Sequence, residues 1–276
     1  MIASAENLQV VFPGIAGATA AVRGVSFSIG REKVGLVGES GSGKSTIGRA
    51  LLRMVPRPGR VSAQKLEVLG ADFLTAPEAE IRRMRGRRVA MILQDPRQSL
   101  DPVIPVGRQI VETWRTHFGG DDAEAGERAL DMLAACGFSD GPRVFNAYPH
   151  ELSGGEGQRA MIAMMLIASP ELLIADEPTS ALDVTVRLQV LRILDKLVGE
   201  RGMGLLFISH DLRLVASFCD RILVLYAGRI LESLPARDIA HAAHPYTRAL
   251  WAASPKLGAV QGRLPVIARD PAWLNP

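Results

Sequence analysis

A glycine-rich segment early in the chain carries the residue types that hold a phosphate. Residues 38–46 read Gly-Glu-Ser-Gly-Ser-Gly-Lys-Ser-Thr and follow an apolar run at 34–37. Glycines let successive backbone N–H groups turn toward an anion at the start of a helix. The segment fits the pattern G-x-x-x-x-G-K-[ST], in which the lysine reaches the β- and γ-phosphates and the hydroxyl reaches Mg²⁺. It predicts a nucleotide site formed by Gly38, Ser40, Gly41, Ser42, Gly43, Lys44, Ser45 and Thr46.

Two adjacent acids later in the chain supply the second half of phosphoryl chemistry. Asp176 and Glu177 end the apolar run at 172–175, so both carboxylates are expected at the end of a strand. Asp176 is expected to hold Mg²⁺ through water, and Glu177 to polarise the attacking water as a general base. An apolar strand that ends in Asp-Glu is common, and the pair becomes informative because a phosphate loop precedes it.

The composition is that of an ordinary globular protein. Of 276 residues, 47% are hydrophobic and 22% are charged, and the net charge of +3 is too small to indicate nucleic acid as a partner. The longest apolar run, residues 160–168, is shorter than the ~20 residues that span a bilayer. The N-terminus lacks the basic start and the apolar stretch of a signal peptide. The two cysteines form no spaced motif, which favours a reducing cytosol.

The elements that must position these residues follow an α/β order. Alternating apolar residues predict an N-terminal antiparallel layer at 8–12 and 21–29, and a final hairpin at 222–226 and 229–231. Strand–helix–strand spacing favours a parallel sheet with helical crossovers. Its predicted strands are 34–37, 89–93, 172–175 and 205–209, and its predicted helices are 46–52 and 185–198.

Between 96 and 168 the strand signal disappears. Val106, Ile110, Trp114 and Phe118 recur at a spacing of four, which predicts a helical insertion with these side chains on its buried face. Beyond Pro235 we find a tail without strong periodicity.

With these elements in place, the chain resembles the ATP-binding subunit of an ABC transporter from about residue 8 to 250. The motifs that carry the resemblance are the phosphate loop, Gln94 after its strand, the signature Leu152-Ser153-Gly154-Gly155, the Asp-Glu pair, the segment 180–183, and His210 after its strand. The resemblance implies a RecA-like parallel-sheet core with an N-terminal antiparallel layer. It also implies a nucleotide-binding domain at 1–235 with a helical subdomain inserted at about 96–168, and a C-terminal extension at 236–276.

The resemblance assigns a role to each motif. Two such domains would pack head to tail, so that ATP and Mg²⁺ lie between the phosphate loop of one chain and the signature of the other. Ser153, Gly154 and Gly155 would then contact the γ-phosphate bound by the other chain. The remaining expected roles are Gln94 as sensor of Mg²⁺ and the attacking water, His210 as holder of the γ-phosphate, and Asp183 as part of the dimer contact.

Two positions depart from the family pattern. Glu156 stands where the family most often has glutamine. We expect its side chain to point away from a bound phosphate, and its replacement by alanine to leave hydrolysis intact. The aromatic residue that stacks on adenine is expected to be Phe12, and a core role for Phe12 is an equally open alternative.

His-Pro-Tyr-Thr-Arg-Ala-Leu at 244–250, together with residues 94–102, resembles the bacterial oligopeptide, dipeptide and nickel importers. This branch implies an ATPase on the cytoplasmic face of the inner membrane, docked through its helical insertion to two polytopic permease subunits. It implies a second, paralogous ATP-binding subunit and, indirectly, an extracytoplasmic substrate-binding protein. Peptides, nickel and metal chelates all stay open as cargo.

Two other hypotheses assign the chain to different classes of function. The first is a soluble ABC ATPase in an enzyme complex such as the phosphonate-degrading machinery, whose subunits resemble this branch. The second is an ATPase of DNA repair or translation. The short spacing from Lys44 to Gln94 and on to Ser153 leaves no room for a coiled-coil arm, which disfavours the second reading.

Overall fold

The computed structural model describes residues 1–14, 17–180, 182–255, 270 and 273. The predicted C-terminal extension therefore lies partly outside the described residues. The chain divides into two compact units, which we call unit 1 (Met1–Ala76 and Gly204–Pro276) and unit 2 (Pro77–Met203). No helix in the described part of the chain is both long enough and apolar enough to cross a bilayer.

The elements alternate in the α/β order that the sequence predicts. The strands are β1 Ala3–Phe12, β2 Thr19–Ile29, β3 Lys33–Val37, β4 Arg60–Ser62, β5 Lys65–Val68, β6 Ala71–Asp72, β7 Val89–Ile92, β8 Leu172–Asp176, β9 Gly204–Ser209, β10 Arg221–Tyr226 and β11 Arg229–Pro235. The α-helices are α1 Lys44–Leu51, α2 Glu78–Met84, α3 Val106–Phe118, α4 Asp122–Ala135, α5 Gly141–Asn146, α6 Gly154–Leu166, α7 Val184–Arg201, α8 Leu212–Phe218 and α9 Pro245–Ala253. Short 3-10 helices lie at Pro96–Gln98, Pro149–Glu151 and Ala236–His241.

Unit 1 contains the predicted N-terminal antiparallel layer. Its strand order is β2-β1-β5-β6, and β4 also pairs with β1. In β1, buried Leu8 and Val10 alternate with exposed Gln9, the period of two that a half-buried strand requires. The strand predictions at 8–12 and 21–29 are thus confirmed. The short strands β4, β5 and β6 were not predicted.

Unit 1 also carries strands in the order β11-β10-β3-β9. Strands β10, β3 and β9 run parallel, and β11 returns antiparallel from β10 as the predicted hairpin. Strand β9 is buried along its whole length, as expected for a strand covered on both faces. All three parallel strands therefore end at one edge of this sheet segment.

Unit 2 pairs two parallel strands with a run of helices. Strands β7 and β8 are parallel neighbours, with Ile92 opposite Ala175, and helices α3 to α6 fill the chain between them. The helical insertion predicted from the missing strand signal is present. Most of the apolar run at 160–168 is buried within α6 and the turn after it, so it belongs to the core as expected.

The buried face predicted for α3 is only partly correct. Val106 and Ile110 are fully buried, but Phe118 is 44% exposed. Trp114 and Phe118 stack with ring centroids 4.2 Å apart, and Arg87 covers the Phe118 ring. The helix ends at the surface, where cations replace a hydrophobic core as the cover for these rings.

The segment at 244–250 begins a helix that the tail's weak periodicity did not predict. His244 caps α9 through its Nδ1, which accepts from the backbone N–H of Tyr246 at 3.1 Å, and Pro245 occupies the first helical position. The Tyr246 side chain is buried, and its ring centroid lies 4.6 Å from that of Tyr226 at the end of β10. This part of the tail is therefore anchored to unit 1.

Candidate functional site

The phosphate loop of unit 1 lies between β3 and α1, as the sequence predicts. Gly43 directly precedes α1 and has a left-handed backbone with φ of 104°, and Gly41 also has a positive φ of 78°. Glycine adopts such angles without the steric cost that a Cβ imposes. Ser40 and Gly41 are exposed, whereas Ser45 and Thr46 are half-buried at the start of the helix. The loop therefore presents backbone N–H groups at a helix N-terminus, where an anion is favoured.

The loop is held against neighbouring backbone. A Cβ added to Gly38 would lie 2.1 Å from the carbonyl oxygen of Leu225, and one added to Gly43 would lie 2.3 Å from that of Ala21. The N–H of Gly228, in the β10–β11 turn, donates to the Ser42 carbonyl at 3.0 Å. Glycine at these two positions is thus required for packing as well as for backbone conformation.

Lys44 keeps the loop closed from inside. Its side chain is 6% exposed, and its Nζ donates to the carbonyl oxygens of Gly38 and Glu39, each at 2.8 Å. The buried Ser42 hydroxyl has no hydrogen-bond partner among the described residues. A buried hydroxyl without a partner is costly, so a bound phosphate that accepted from it would stabilise the loop.

His210 reaches the same sheet edge as the phosphate loop. Ser209 ends β9 directly opposite Val37, the last residue of β3, so Gly38 and His210 follow paired residues on neighbouring parallel strands. The Ser209 hydroxyl accepts from the N–H of Asp211 at 3.0 Å, and Asp211 caps α8. The exposed His210 side chain therefore projects from a turn that is fixed on both sides.

Phe12, the candidate adenine contact, lies at the end of β1 in unit 1. Its ring is half-buried and faces Gly59, where an added Cβ would lie 2.6 Å from Phe12 Cε1. The loop that follows Phe12 includes residues 15 and 16, which lie outside the described residues. This packing is compatible with both roles considered for Phe12, and adenine stacking stays a prediction.

In unit 2, three predicted residues lie at or just after the ends of neighbouring strands. Asp176 is the last residue of β8 and is 5% exposed. Gln94 follows β7, and the parallel pairing of Ile92 with Ala175 brings the ends of these two strands together. Glu177 has a left-handed φ of 48°, and its carbonyl accepts from the N–H and the hydroxyl of Ser180. Strain of this kind at a carboxylate is common at functional sites.

The segment after Gln94 contacts the signature helix. The Asp95 side chain accepts from the N–H of Arg97 at 2.9 Å and so begins the short 3-10 helix at Pro96–Gln98. A Cβ added to Gly157, in the first turns of α6, would lie 3.6 Å from Pro96 Cγ. Gln94 and the signature are thus linked within unit 2 through this packing.

The signature begins α6 with a complete capping box. The Ser153 hydroxyl accepts from the N–H of Glu156 at 3.3 Å, and Glu156 Oε2 accepts from the N–H of Ser153 at 3.0 Å and from its hydroxyl at 2.9 Å. Arg143, on α5, forms an ion pair with the other carboxylate oxygen, Oε1. The hydrogen bond from the Ser153 backbone, with those from its hydroxyl and from Arg143, holds the pKa of the Glu156 carboxyl below its usual value.

This arrangement was not anticipated from the sequence. Glu156 folds back onto Ser153, so its carboxylate lies at the signature itself, and its expected orientation away from a bound phosphate stays a prediction. The S-x-x-E spacing of residues 153–156 is a known capping signal and could have revealed the cap. Nothing in the sequence marks Arg143 as the partner, because the two residues belong to different helices.

Asp183 and Gly155 connect the signature helix to α7. The Asp183 carboxylate caps α7 by accepting from the N–H groups of Thr185 and Val186 at 3.0 and 3.1 Å. A Cβ added to Gly155 would lie 2.5 Å from Val186 Cγ1. The two helix N-termini therefore pack directly on each other, while Ser153, Gly154 and Asp183 stay exposed. Ala181, in the same predicted motif, lies outside the described residues.

The predicted Mg²⁺ ligands, Ser45, Gln94 and Asp176, offer oxygen atoms, the donor type that Mg²⁺ prefers. In the described part of the chain there is no group of three or more His, Cys, Asp and Glu side chains that could hold a metal by itself. The Cys136 thiol is unsuited to act as a nucleophile or metal ligand, because burial raises its pKa to about 12.

A family model described as ABC transporter matches residues 22–180. The chain is 45% identical to the probable peptide ABC transporter ATP-binding protein y4tR of Sinorhizobium fredii, over 97% of this chain and 81% of the relative. It is also 45% identical to the dipeptide transport ATP-binding protein DppD of Escherichia coli (strain K12), over 94% of this chain and 80% of the relative. The dimeric structure of the ATP-binding cassette MJ0796 in a post-hydrolysis state with ADP and Pi has a TM-score of 0.74 at 25% identity, covering 86% of this chain and 99% of that one.

The phosphate loop and the parallel strands that present it define an ATP-binding and ATP-hydrolysing α/β cassette. More specifically, the chain belongs to the ABC transporter family, as an ATP-binding domain. The resemblance seen in the sequence motifs is therefore confirmed at the level of family, fold and ATPase activity.

Proposed function

We propose that this chain is the ATP-hydrolysing subunit of a bacterial importer for small peptides. The observation that carries the proposal is the 45% identity to a dipeptide transport ATP-binding protein over 94% of the chain. A glutathione import ATP-binding protein, GsiA of Escherichia coli O157:H7, is 43% identical over 98% of this chain, which spans 45% of that longer protein. Glutathione is itself a small peptide, so these names agree on the chemical class of cargo.

The proposed catalytic unit is a pair of ATP-binding chains. Each phosphate loop would bind ATP, with Lys44 on the β- and γ-phosphates and Phe12 against adenine. The partner chain would complete the site with its Ser153, Gly154 and Gly155, and its Asp183 would join the contact. The exposure of Ser153, Gly154 and Asp183 in a single chain supports this proposal, since a second chain needs them accessible.

Hydrolysis is proposed to follow general-base chemistry. Glu177 would accept a proton from the attacking water, while Gln94 orients that water and His210 holds the γ-phosphate. Mg²⁺, bound through Ser45, Gln94 and Asp176, would supply charge neutralisation on the phosphates. Loss of the γ-phosphate would remove the bridge between the two chains, and this difference in affinity would drive their opening.

The proposed partners in the membrane are two polytopic permease subunits that hold the chain at the cytoplasmic face. The second ATP-binding subunit is proposed to be a paralogue, and a substrate-binding protein would deliver cargo outside. Unit 2 offers a cavity of about 320 Å³ that is lined in part by Ser153 and Gly154 of the signature, and an apolar side chain of a permease helix would fit in it. Its lining is mainly apolar and includes Pro96, Leu100, Pro102, Pro149 and Leu152.

The other interpretations gain no specific support. Neither of the relatives named for peptides nor the glutathione protein is described as a nickel or chelate transporter, so the proposal is confined to peptides. No observation favours the enzyme-complex alternative over an importer.

Purification of the tagged chain from its native membranes in mild detergent tests the proposal, with co-purifying proteins identified by mass spectrometry. We expect two polytopic subunits and a second ATP-binding chain. Recovery in the soluble fraction with metabolic enzymes would exclude transport and favour the alternative.

A matched pair of variants tests the docking surface. Val103 neighbours the cavity lining in unit 2 and is 76% exposed, and Met54 is 57% exposed in unit 1. We expect Val103→Asp to lose the permease subunits during purification and Met54→Asp to retain them. Equal recovery with both variants would remove this surface from the proposal.

A further inference from the structure

The N-terminus of the signature helix already holds a carboxylate. Glu156 Oε2 accepts both the N–H and the hydroxyl of Ser153, at 3.0 and 2.9 Å. In the proposed dimer, the Ser153 hydroxyl would donate its proton to a γ-phosphate. In the single chain, it donates that proton to Glu156. Any phosphate that replaced Glu156 as its acceptor would approach a negative charge at close range.

Two like charges at such a distance repel, and the repulsion is strong where protein excludes water. An isolated glutamate here would therefore oppose closure around ATP. The family's more common glutamine can form the same capping box without the charge. With glutamate at this position, closure around a phosphate would require a cation that compensates the carboxylate.

Arg143 has the geometry to do so. Its Nη2 pairs with Glu156 Oε1, which is not the oxygen that accepts from Ser153. The ion pair therefore neutralises the carboxylate without displacing the cap. The Arg143 backbone is fixed at the start of α5, where its N–H donates to Asp140 Oδ1 at 3.0 Å, so the side chain extends from a defined point.

We propose that Arg143 is a positioning residue of the composite ATP site. The inference rests on the proposed function, in which the signature meets ATP bound by another chain. By compensating Glu156 and holding it in the cap, Arg143 leaves the Ser153 hydroxyl free to exchange its acceptor for the γ-phosphate. Arg143 acts through Glu156 and does not itself contact the nucleotide.

The test is a charge cycle of Arg143→Met, Glu156→Gln and the double variant, made in the complex purified through the tagged chain. The ATP concentration for half-maximal hydrolysis and kcat are measured for each. We expect Arg143→Met to raise this concentration about tenfold, because an uncompensated charge opposes closure, with a smaller change in kcat. Glu156→Gln and the double variant should stay within about twofold of the unmodified chain, since both lack the charge. Arg143→Lys should recover most of the loss.

Arg128→Met serves as control, because Arg128 lies on the surface of α4 in unit 2, where it contacts Glu124 at 3.9 Å and the Trp114 ring at 5.7 Å, and neither partner belongs to the signature. A double variant as impaired as Arg143→Met would show that Arg143 acts by packing, and would overturn the inference.

Ser153→Ala separates this inference from the proposed function. If Ser153→Ala raises the ATP requirement and Arg143→Met does not, the positioning role alone is wrong. If both variants are silent, the signature does not act on ATP and the composite site itself fails.

Discussion

The chain contains two glycine-rich helix starts that look alike in sequence. They differ in whether side chains of the same chain cap the first backbone N–H groups of the helix. At α1 in unit 1, no side chain among the described residues caps the helix, and its first turn has no acidic residue. At α6 in unit 2, Ser153 and Glu156 form both halves of a capping box. The first helix start is left for an external anion, whereas the second carries an anion of its own.

This difference matches two proposed tasks, which are to bind a nucleotide within one chain and to contact a nucleotide bound by the partner chain. A helix N-terminus has N–H groups without partners and a partial positive charge. In the proposed function, a phosphate at α1 would supply what the chain lacks, which would favour tight binding within one chain. A phosphate at α6 would have to compete with Glu156, so the signature would be stable alone and would bind ATP reversibly. The following predictions test this contrast, from the largest expected effect to the smallest.

Lys44→Ala should have the largest effect. The buried ammonium is the cation within the phosphate loop, and its loss removes attraction for the β- and γ-phosphates. We expect ATP hydrolysis to fall by about 10³-fold and ATP binding to be lost. Hydrolysis rates and binding of a fluorescent ATP analogue are the measurements. Lys196→Ala, at an exposed position in α7, is the control, and ATP binding retained by Lys44→Ala would contradict the assignment.

Glu177→Gln should separate binding from chemistry. The amide keeps the shape of the side chain but accepts a proton poorly, so turnover should fall by about 10²-fold or more. ATP binding, measured by equilibrium titration, should be unchanged, and ATP-dependent association of chains should become long-lived. Unchanged hydrolysis would remove Glu177 from the role of general base.

Gly43→Ala should destabilise unit 1 through its backbone. The φ of 104° is unfavourable for alanine, and the new Cβ would lie 2.3 Å from the Ala21 carbonyl oxygen. We expect the free energy of unfolding to fall by about 2–4 kcal/mol, measured by denaturant titration. A loss below ~1 kcal/mol would mean that the loop relaxes easily.

Gly155→Ala tests packing at the other helix start. Its Cβ would lie 2.5 Å from Val186 Cγ1, and a valine in a helix has little rotamer freedom. We expect a loss of about 1–2 kcal/mol in unfolding free energy, recovered largely by adding Val186→Ala.

Gly154→Ala is the matched control for that variant. A Cβ at Gly154 meets nothing within 4 Å among the described residues. We therefore expect Gly154→Ala to leave the free energy of unfolding unchanged. If Gly154→Ala is stable but loses hydrolysis, Gly154 serves the partner's nucleotide. Destabilisation by Gly154→Ala equal to that of Gly155→Ala would contradict the packing argument.

The sequence predicted the positions of the motif residues well because each follows an apolar run. His210 comes directly after β9 in unit 1, whereas in unit 2 Asp176 is the last residue of β8 and Gln94 lies two residues after β7. Within each unit, the carboxyl ends of paired parallel strands share an edge. The direction of the strands is therefore enough to predict at which end of each strand pair these side chains lie, without knowledge of how the helices pack.

Contacts between helices could not be read in the same way. Arg143 and Glu156 are 13 residues apart, and the pairing depends on how α5 meets α6. The packing of Gly155 on Val186 likewise depends on two helix axes. The strands β4 to β6 are too short to show an alternating pattern. Helix α9 begins at the His244 cap, and the weak periodicity of the tail gave no signal for it.

The smallest expected effect is a pH dependence confined to the self-capped helix start. The pKa of Glu156 is lowered in the folded chain from a value of 4.5, chiefly by the hydrogen bond from the Ser153 backbone. A lowered pKa adds stability that is complete above pH 4.5 and is lost as the pH falls through the folded value. The unmodified chain should therefore lose about 1 kcal/mol or less relative to Glu156→Gln between pH 7 and the acid range.

Denaturant titrations at a series of pH values measure this difference, with Glu127→Gln as control because Glu127 is exposed on α4. Arg143→Met should reduce the effect, since Arg143 contributes to the lowered pKa. At α1 no carboxylate of the first turn is present to titrate, so Gly43→Ala should change stability equally at each pH. A difference between the unmodified chain and Glu156→Gln that stayed constant with pH would mean that the carboxylate's charge does not stabilise the signature, and the contrast between the two helix starts would then rest on shape alone.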